Sequence, residues 1–163
     1  MLKVLLVSAL FASVASAREE KAHTHGGARL AIALEGKNGK IDFDAPASAI
    51  YGFEYVAKSA KDKKSKEQGL KKVEDKIAEM VVFDPSAKCE IKKDMYEVDQ
   101  KENHADVEFE FRVICEKSPM GTNITVNISK IFPRIKAVKV DVVGDGVQKS
   151  LEVKNSGESI ELK

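Results

Sequence analysis

Beyond its first 17 residues the 163-residue chain contains no apolar run near the roughly 20 residues that a membrane-crossing helix needs. A soluble mature protein is therefore expected. Neither sign of charge is in excess: 27 Lys and Arg stand against 26 Asp and Glu. A binder of nucleic acid or of an anionic membrane needs a basic surplus, so both classes are disfavoured. No Gly-x-Ser-x-Gly, no His-Glu-x-x-His and no phosphate-cradling glycine loop occurs, and nothing argues for an enzyme. Internal repeats and low-complexity linkers are absent too, which points to one domain around one core. Cysteines number only two and histidines only three.

The first 17 residues read as an export signal. Lys3 supplies the positive start, Val4 to Val14 a short apolar stretch, and Ala15-Ser16-Ala17 the small-x-small cleavage pattern. No cysteine follows the apolar stretch, so a lipoprotein anchor is not expected. The mature chain is expected to begin at Arg18. Cleavage removes Lys3 alone among the charges, leaving 26 basic and 26 acidic residues. In an exported chain, Cys89 and Cys115 read as one disulfide between neighbouring strands, a closure that the chain-entropy model values at roughly 3 kcal/mol. The alternative is a thiolate zinc site shared with histidine, which an oxidising compartment opposes.

Alternation and turn residues place the elements. Residues 18–27 form a polar, mobile segment carrying a His-x-His pair. Ala28 to Glu35 presents Leu30, Ile32 and Leu34 on one face. A turn at Gly36 to Gly39 leads into Lys40 to Asp44, with Ile41 and Phe43 in register, which predicts a β-hairpin. Pro46 to Tyr55 reads as a short irregular or helical piece packed on the sheet. From Ser59 to Met80, Leu70, Val73, Ile77 and Met80 recur at helical spacing beneath a charged face. Gly69 weakens the first half of that helix, so its firm part is expected to start there.

Lys88 to Val98 is expected as a strand and Glu97 to Asn103 as a polar connection. Asp106 to Cys115 is the clearest strand, with Val107, Phe109, Phe111 and Val113 on one side and Glu108, Glu110 and Arg112 on the other. Further strands are expected at Ile124 to Ile128, Ala137 to Val143, Lys149 to Val153 and Ser159 to Leu162. Ile131 to Ile135 reads as a turn or helical end. The sum is an α+β fold spanning 28–163. It is a single domain with a largely antiparallel β-sheet, one amphipathic helix on one face and one inter-strand disulfide.

The histidines are the best pointer to chemistry. His23 and His25 alternate, so on an extended chain both rings face one side and can reach one metal ion. Zinc favours nitrogen and sulfur ligands and accepts carboxylate oxygen. His104 is a candidate third ligand. Asp106, two residues on, is the best local carboxylate, with Glu102 as another. Copper and nickel also suit such a set. Ligand histidines must be neutral, so affinity should fall as pH drops through roughly 6.5.

These residues carry a resemblance. His23 to Gly36, Ala45-Pro46-Ala47, Ile50 to Glu54, Cys89, His104-Ala105-Asp106, Phe109 to Cys115 and Ile131-Phe132-Pro133 resemble the ZrgA-like family of zinc-regulated periplasmic proteins. The resemblance covers nearly all of the mature chain. It implies a Gram-negative periplasmic protein that binds zinc and assists a zinc importer by handing metal to the importer's solute-binding component. It also implies metal roles for His23, His25 and His104. One departure stands out: many members carry a long histidine-rich run between the two cysteine strands, where this chain has Glu97 to His104 with a single histidine.

Other features have plainer readings. Glu54 suits a carboxylate that orients a histidine, but a surface or capping role beside core aromatics is the stronger expectation, because acids are usually exposed. Asn123-Ile124-Thr125 and Asn127-Ile128-Ser129 match glycosylation acceptors without consequence in a bacterium. The lysine-rich stretch Lys58 to Lys72 reads first as a solvated helix face and second as a dock for an acidic partner. A metal-independent interaction module is thus the rival to zinc binding.

Overall fold

The computed structural model describes residues 26–163. The expected export signal, His23 and His25 lie outside the described residues. Among the described residues, nine strands, three α-helices and one 3-10 turn (Pro85–Ala87) follow in order. β1 (Gly27–Glu35) and β2 (Asn38–Pro46) form the expected hairpin. α1 (Ala47–Ile50) is a single turn, and α2 (Ala60–Met80) is the main helix. β3 (Val81–Phe83), β4 (Cys89–Lys101), β5 (His104–Cys115) and β6 (Asn123–Val126) come next. α3 (Ile128–Ile131), β7 (Ala137–Gly144), β8 (Val147–Val153) and β9 (Glu158–Glu161) complete the chain.

Six strands form one sheet in the order β4-β5-β2-β1-β7-β8, and β3-β6-β9 form a second, smaller sheet. Every pairing is antiparallel except β1 with β7, which is parallel. Leu30, Ile32, Ile41, Phe43, Val107, Phe109, Phe111, Val138 and Val140 fill the core face of the large sheet. Leu70, Val73, Ile77 and Met80 of α2 and Ile124, Val126 and Ile160 of the small sheet join the same cluster. Burying each such aliphatic side chain contributes about 1.5–3 kcal/mol against the ordering entropy.

α2 is longer than expected. Ser59 caps it: the hydroxyl accepts from the Asp62 N–H at 3.1 Å and donates to the Asp62 carboxylate at 2.7 Å. Helix then runs unbroken through Gly69. A Cβ there would lie 2.7 Å from Tyr51 Cβ and 3.0 Å from the Ile50 carbonyl. Gly69 is therefore the point of closest approach between α2 and the α1 region, not the start of firm helix.

The expected connection over Glu97 to Asn103 is also corrected. β4 continues to Lys101, and only Glu102 and Asn103 turn the chain into β5. Lys101 pairs with His104 at one end of this long hairpin, and Cys89 pairs with Cys115 at the other, where the two are disulfide-bonded. Tight pairing of the polar residues on both arms keeps the strand going where composition alone suggests a loop.

Candidate metal centre

His104 opens β5, so the strand already runs through it and Asp106 projects to the same side. That side is the outer face of the sheet, opposite the buried Val107 and Phe109. Even so, Asp106 is only 8% exposed. Its Oδ2 lies 3.0 Å from His104 Nε2. On the other side of the ring, Glu54 Oε2 lies 2.6 Å from His104 Nδ1. The imidazole is thus held between two carboxylates.

Glu54 arrives from the segment between α1 and α2 and is not the surface residue expected. Its second oxygen accepts from the Ser48 hydroxyl at 2.6 Å. Gln100, near the end of β4, fixes the backbone around it. Its amide nitrogen donates to the carbonyls of Glu54 (2.8 Å), Lys101 (2.7 Å) and His104 (3.3 Å). One side chain therefore ties the Glu54 segment to the tip of the β4–β5 hairpin. Glu102, the other carboxylate candidate, is exposed at that tip, and the ring of His104 is bonded by Glu54 and Asp106 instead.

A neutral imidazole donates from one nitrogen only. With a carboxylate at each nitrogen, the doubly protonated ring is favoured. The pKa of His104 is raised accordingly, first by the hydrogen bond to Glu54, against a lowering by burial, and then by the charge and hydrogen bond of Asp106. The same carboxylate acts on Tyr51, whose pKa is pushed up to about 12 by burial and by the nearby Glu54 charge.

More carboxylates share this end of the outer face. Asp44 on β2 pairs with Glu108 on β5 and with Arg29 on β1, and Asp44 is 6% exposed. Among the described residues, no set of three His, Cys, Asp or Glu side chains converges on one point able to hold a metal. Glu54 and Asp106 flank opposite nitrogens and cannot both face one ion with the ring between them.

Where the chain enters bears on what completes the set. Asp106 pairs with Pro46, and Asp44, two residues earlier, pairs with Arg29. Gly27, two residues before Arg29, is thus at the same end of the sheet, two strands from Asp106. The carbonyl of Gly26 is held there by the Lys136 N–H at 2.8 Å. Cys89 and Cys115 are at the opposite end of the β4–β5 hairpin and bonded to each other, which removes the thiolate alternative.

Of the residues that sequence reasoning named, the structure brings His104 and Asp106 together; it adds Ser48 and Gln100, which were not named, and Glu54, which was ranked as a surface residue. The available signal was Glu54 itself, an acid amid Tyr51, Phe53 and Tyr55. No helix among the described residues is long and apolar enough to cross a membrane. A family model described as ZrgA family zinc uptake protein matches residues 22–162. No curated protein matches the chain.

Proposed function

We propose that this chain, which belongs to the ZrgA family of zinc uptake proteins, binds one zinc ion as cargo through His104 Nε2, Asp106 and the His23–His25 pair. The carrying observation is the Glu54–His104–Asp106 array at the end of the sheet where the chain enters. Metal-bound histidines commonly give their other ring nitrogen to a carboxylate, which fixes orientation and raises basicity. Glu54 fills that role at Nδ1, the shorter of the two contacts. Zinc would then replace the proton between Nε2 and Asp106. With bonds of about 2.0–2.2 Å at a tetrahedral angle, those two atoms stand about 3.3 Å apart. The 3.0 Å separation is therefore a few tenths of an ångström short of the bound geometry.

Reach supports the remaining ligands. Two sheet spacings, about 9.6 Å, separate β1 from β5, and each residue of extended chain covers about 3.5 Å. His23 precedes Gly27 by four residues, about 14 Å of extended chain and enough to span that distance, while His25, two residues away, covers about 7 Å and needs its side chain for the rest. We place the protein in the periplasm as a non-catalytic accessory that passes zinc to the solute-binding protein of an importer. The disulfide agrees with an oxidising compartment.

The test is zinc calorimetry on the purified protein with its disulfide intact. About one equivalent at micromolar affinity or tighter is expected. His104→Ala and a His23→Ala/His25→Ala double variant should each weaken binding strongly. Wild-type affinity in both variants sinks this site, and absence of any zinc binding leaves the metal-independent interaction module as the better reading.

A further inference from the structure

A groove away from the metal centre runs between α2 and β4, the edge strand of the large sheet. Its floor is apolar: Leu70 from the helix, Phe109 from β5 and Tyr96 from β4. Tyr96 stacks on Phe109 at 5.2 Å between ring centres, yet Tyr96 is 47% exposed while Phe109 is 1% exposed. Its walls carry more lysine than acid: Lys63, Lys66 and Lys71 on the helix side and Lys93 on the strand side, against Glu67 and Glu74. The volume is about 430 Å³, within the range of roughly 300–1,000 Å³ typical of ligand pockets.

We propose that this groove docks an acidic segment of a partner protein, seating an apolar side chain on the Tyr96–Phe109 floor between carboxylates paired with Lys63 and Lys66. Charge complementarity selects the occupant. The whole chain is nearly neutral, but residues 58–72 hold seven lysines against two acids. Lys93 is already paired with Glu74 at 2.6 Å. Lys66 is held 5.9 Å from the Tyr51 ring centre, and among the described residues neither Lys63 nor Lys66 has an ion-pair partner. Two cations beside an exposed aromatic surface fit an anionic chain with apolar residues between its charges.

Two other modes fit less well. The β4 edge is an opening for strand addition, but its pairing with β5 shifts register between Lys93 and Met95, beside the groove. Such a bulge disrupts an edge as a template. A flat anionic membrane would meet Glu67 and Glu74 in the same walls, whereas a segment can pass between them. Docking in this groove needs no zinc.

The probe is a short fluorescein-labelled peptide of alternating aspartate and leucine, titrated into full-length protein with EDTA at physiological salt. A companion peptide carries serine for leucine. Saturable binding of the leucine peptide is expected, with amide shifts centred on Leu70 and Tyr96. The serine peptide, Lys66→Glu and Tyr96→Ser should each weaken binding by about tenfold or more. Lys63→Glu, an exposed change that leaves packing alone, should weaken it too in a protein with unchanged melting. His104→Ala should bind the peptide as wild type does, which separates this result from the zinc titration. Equal affinity for the serine peptide overturns the proposal, as does wild-type binding by the Lys63 and Lys66 variants. Sedimentation with phosphatidylglycerol vesicles in place of peptide binding overturns it as well.

Discussion

Glu54 Oε2 meets His104 Nδ1 at 2.6 Å, joining a segment that follows α1 to the first residue of β5. Ser48 holds the other oxygen of the same carboxylate, so Glu54 is oriented before any metal arrives. Removing an outer carboxylate of this kind typically costs about 10–100-fold in metal affinity. Glu54→Gln should therefore bind zinc at least about tenfold more weakly, measured by dye competition well above the histidine's titration. Affinity equal to wild type there means that Glu54 does not orient the ligand.

The same contact sets the pH dependence. At the proposed site zinc would need a neutral His104, and the hydrogen bond to Glu54 raises its pKa from the ordinary 6.5. Affinity should consequently begin to fall above pH 6.5 as the solution is acidified, earlier than for an exposed histidine. Folding stability moves the opposite way. The clamp stabilises fully below the unfolded pKa of about 6.5, and its contribution is lost as pH rises through the raised folded value. Zinc competition across pH and the ring resonances of His104 report the two effects. A midpoint at or below 6.5, with Glu54→Gln unchanged in midpoint, would contradict this.

Strands with strict alternation were legible before folding, because one face is buried throughout: β1, β2, β5 and β7 match their patterns closely. The inter-strand disulfide was legible for the same reason, since Cys115 continues the buried series from Val107. The end of β4 was not. Residues 97–101 carry no apolar period, and they form a strand because β5 offers a ladder of partners. β3 was missed because nothing breaks the chain at Met80; helix passes directly to strand without glycine or proline. The parallel β1–β7 pairing and the second sheet come from contacts distant in sequence. At the centre, His104 and Asp106 share a local pattern, whereas Glu54 and Ser48 reach them only through the tertiary path of the segment around α1.

Gly69 gives a test of the packing. In an exposed helix, alanine is better than glycine by about 1 kcal/mol. Here the added Cβ would press on Tyr51 Cβ at 2.7 Å and on the Ile50 carbonyl, which is backbone. Overpacking of this kind costs typically about 1–3 kcal/mol, so the clash outweighs the gain. Gly69→Ala should lower the melting temperature. A raised one would mean that α2 shifts freely away from α1.

The disulfide and the proposed metal site occupy opposite ends of the β4–β5 hairpin, so they should respond independently. From Cys115 to His104 the strand runs roughly 35 Å at about 3.3 Å per residue. Cys89 and Cys115 are separated by 26 positions in sequence, and opening a closure of that length costs about 3 kcal/mol in the chain-entropy model. The Cys89→Ser/Cys115→Ser variant should melt at a clearly lower temperature. At temperatures where it remains folded, its zinc affinity should equal that of the wild type, because Glu54, Gln100 and Asp106 hold His104 from the far end. Loss of zinc binding in the folded variant would place the cysteines, or a strain transmitted along β5, in the metal site after all, and calorimetry on the same sample whose fold is checked by circular dichroism decides between the outcomes.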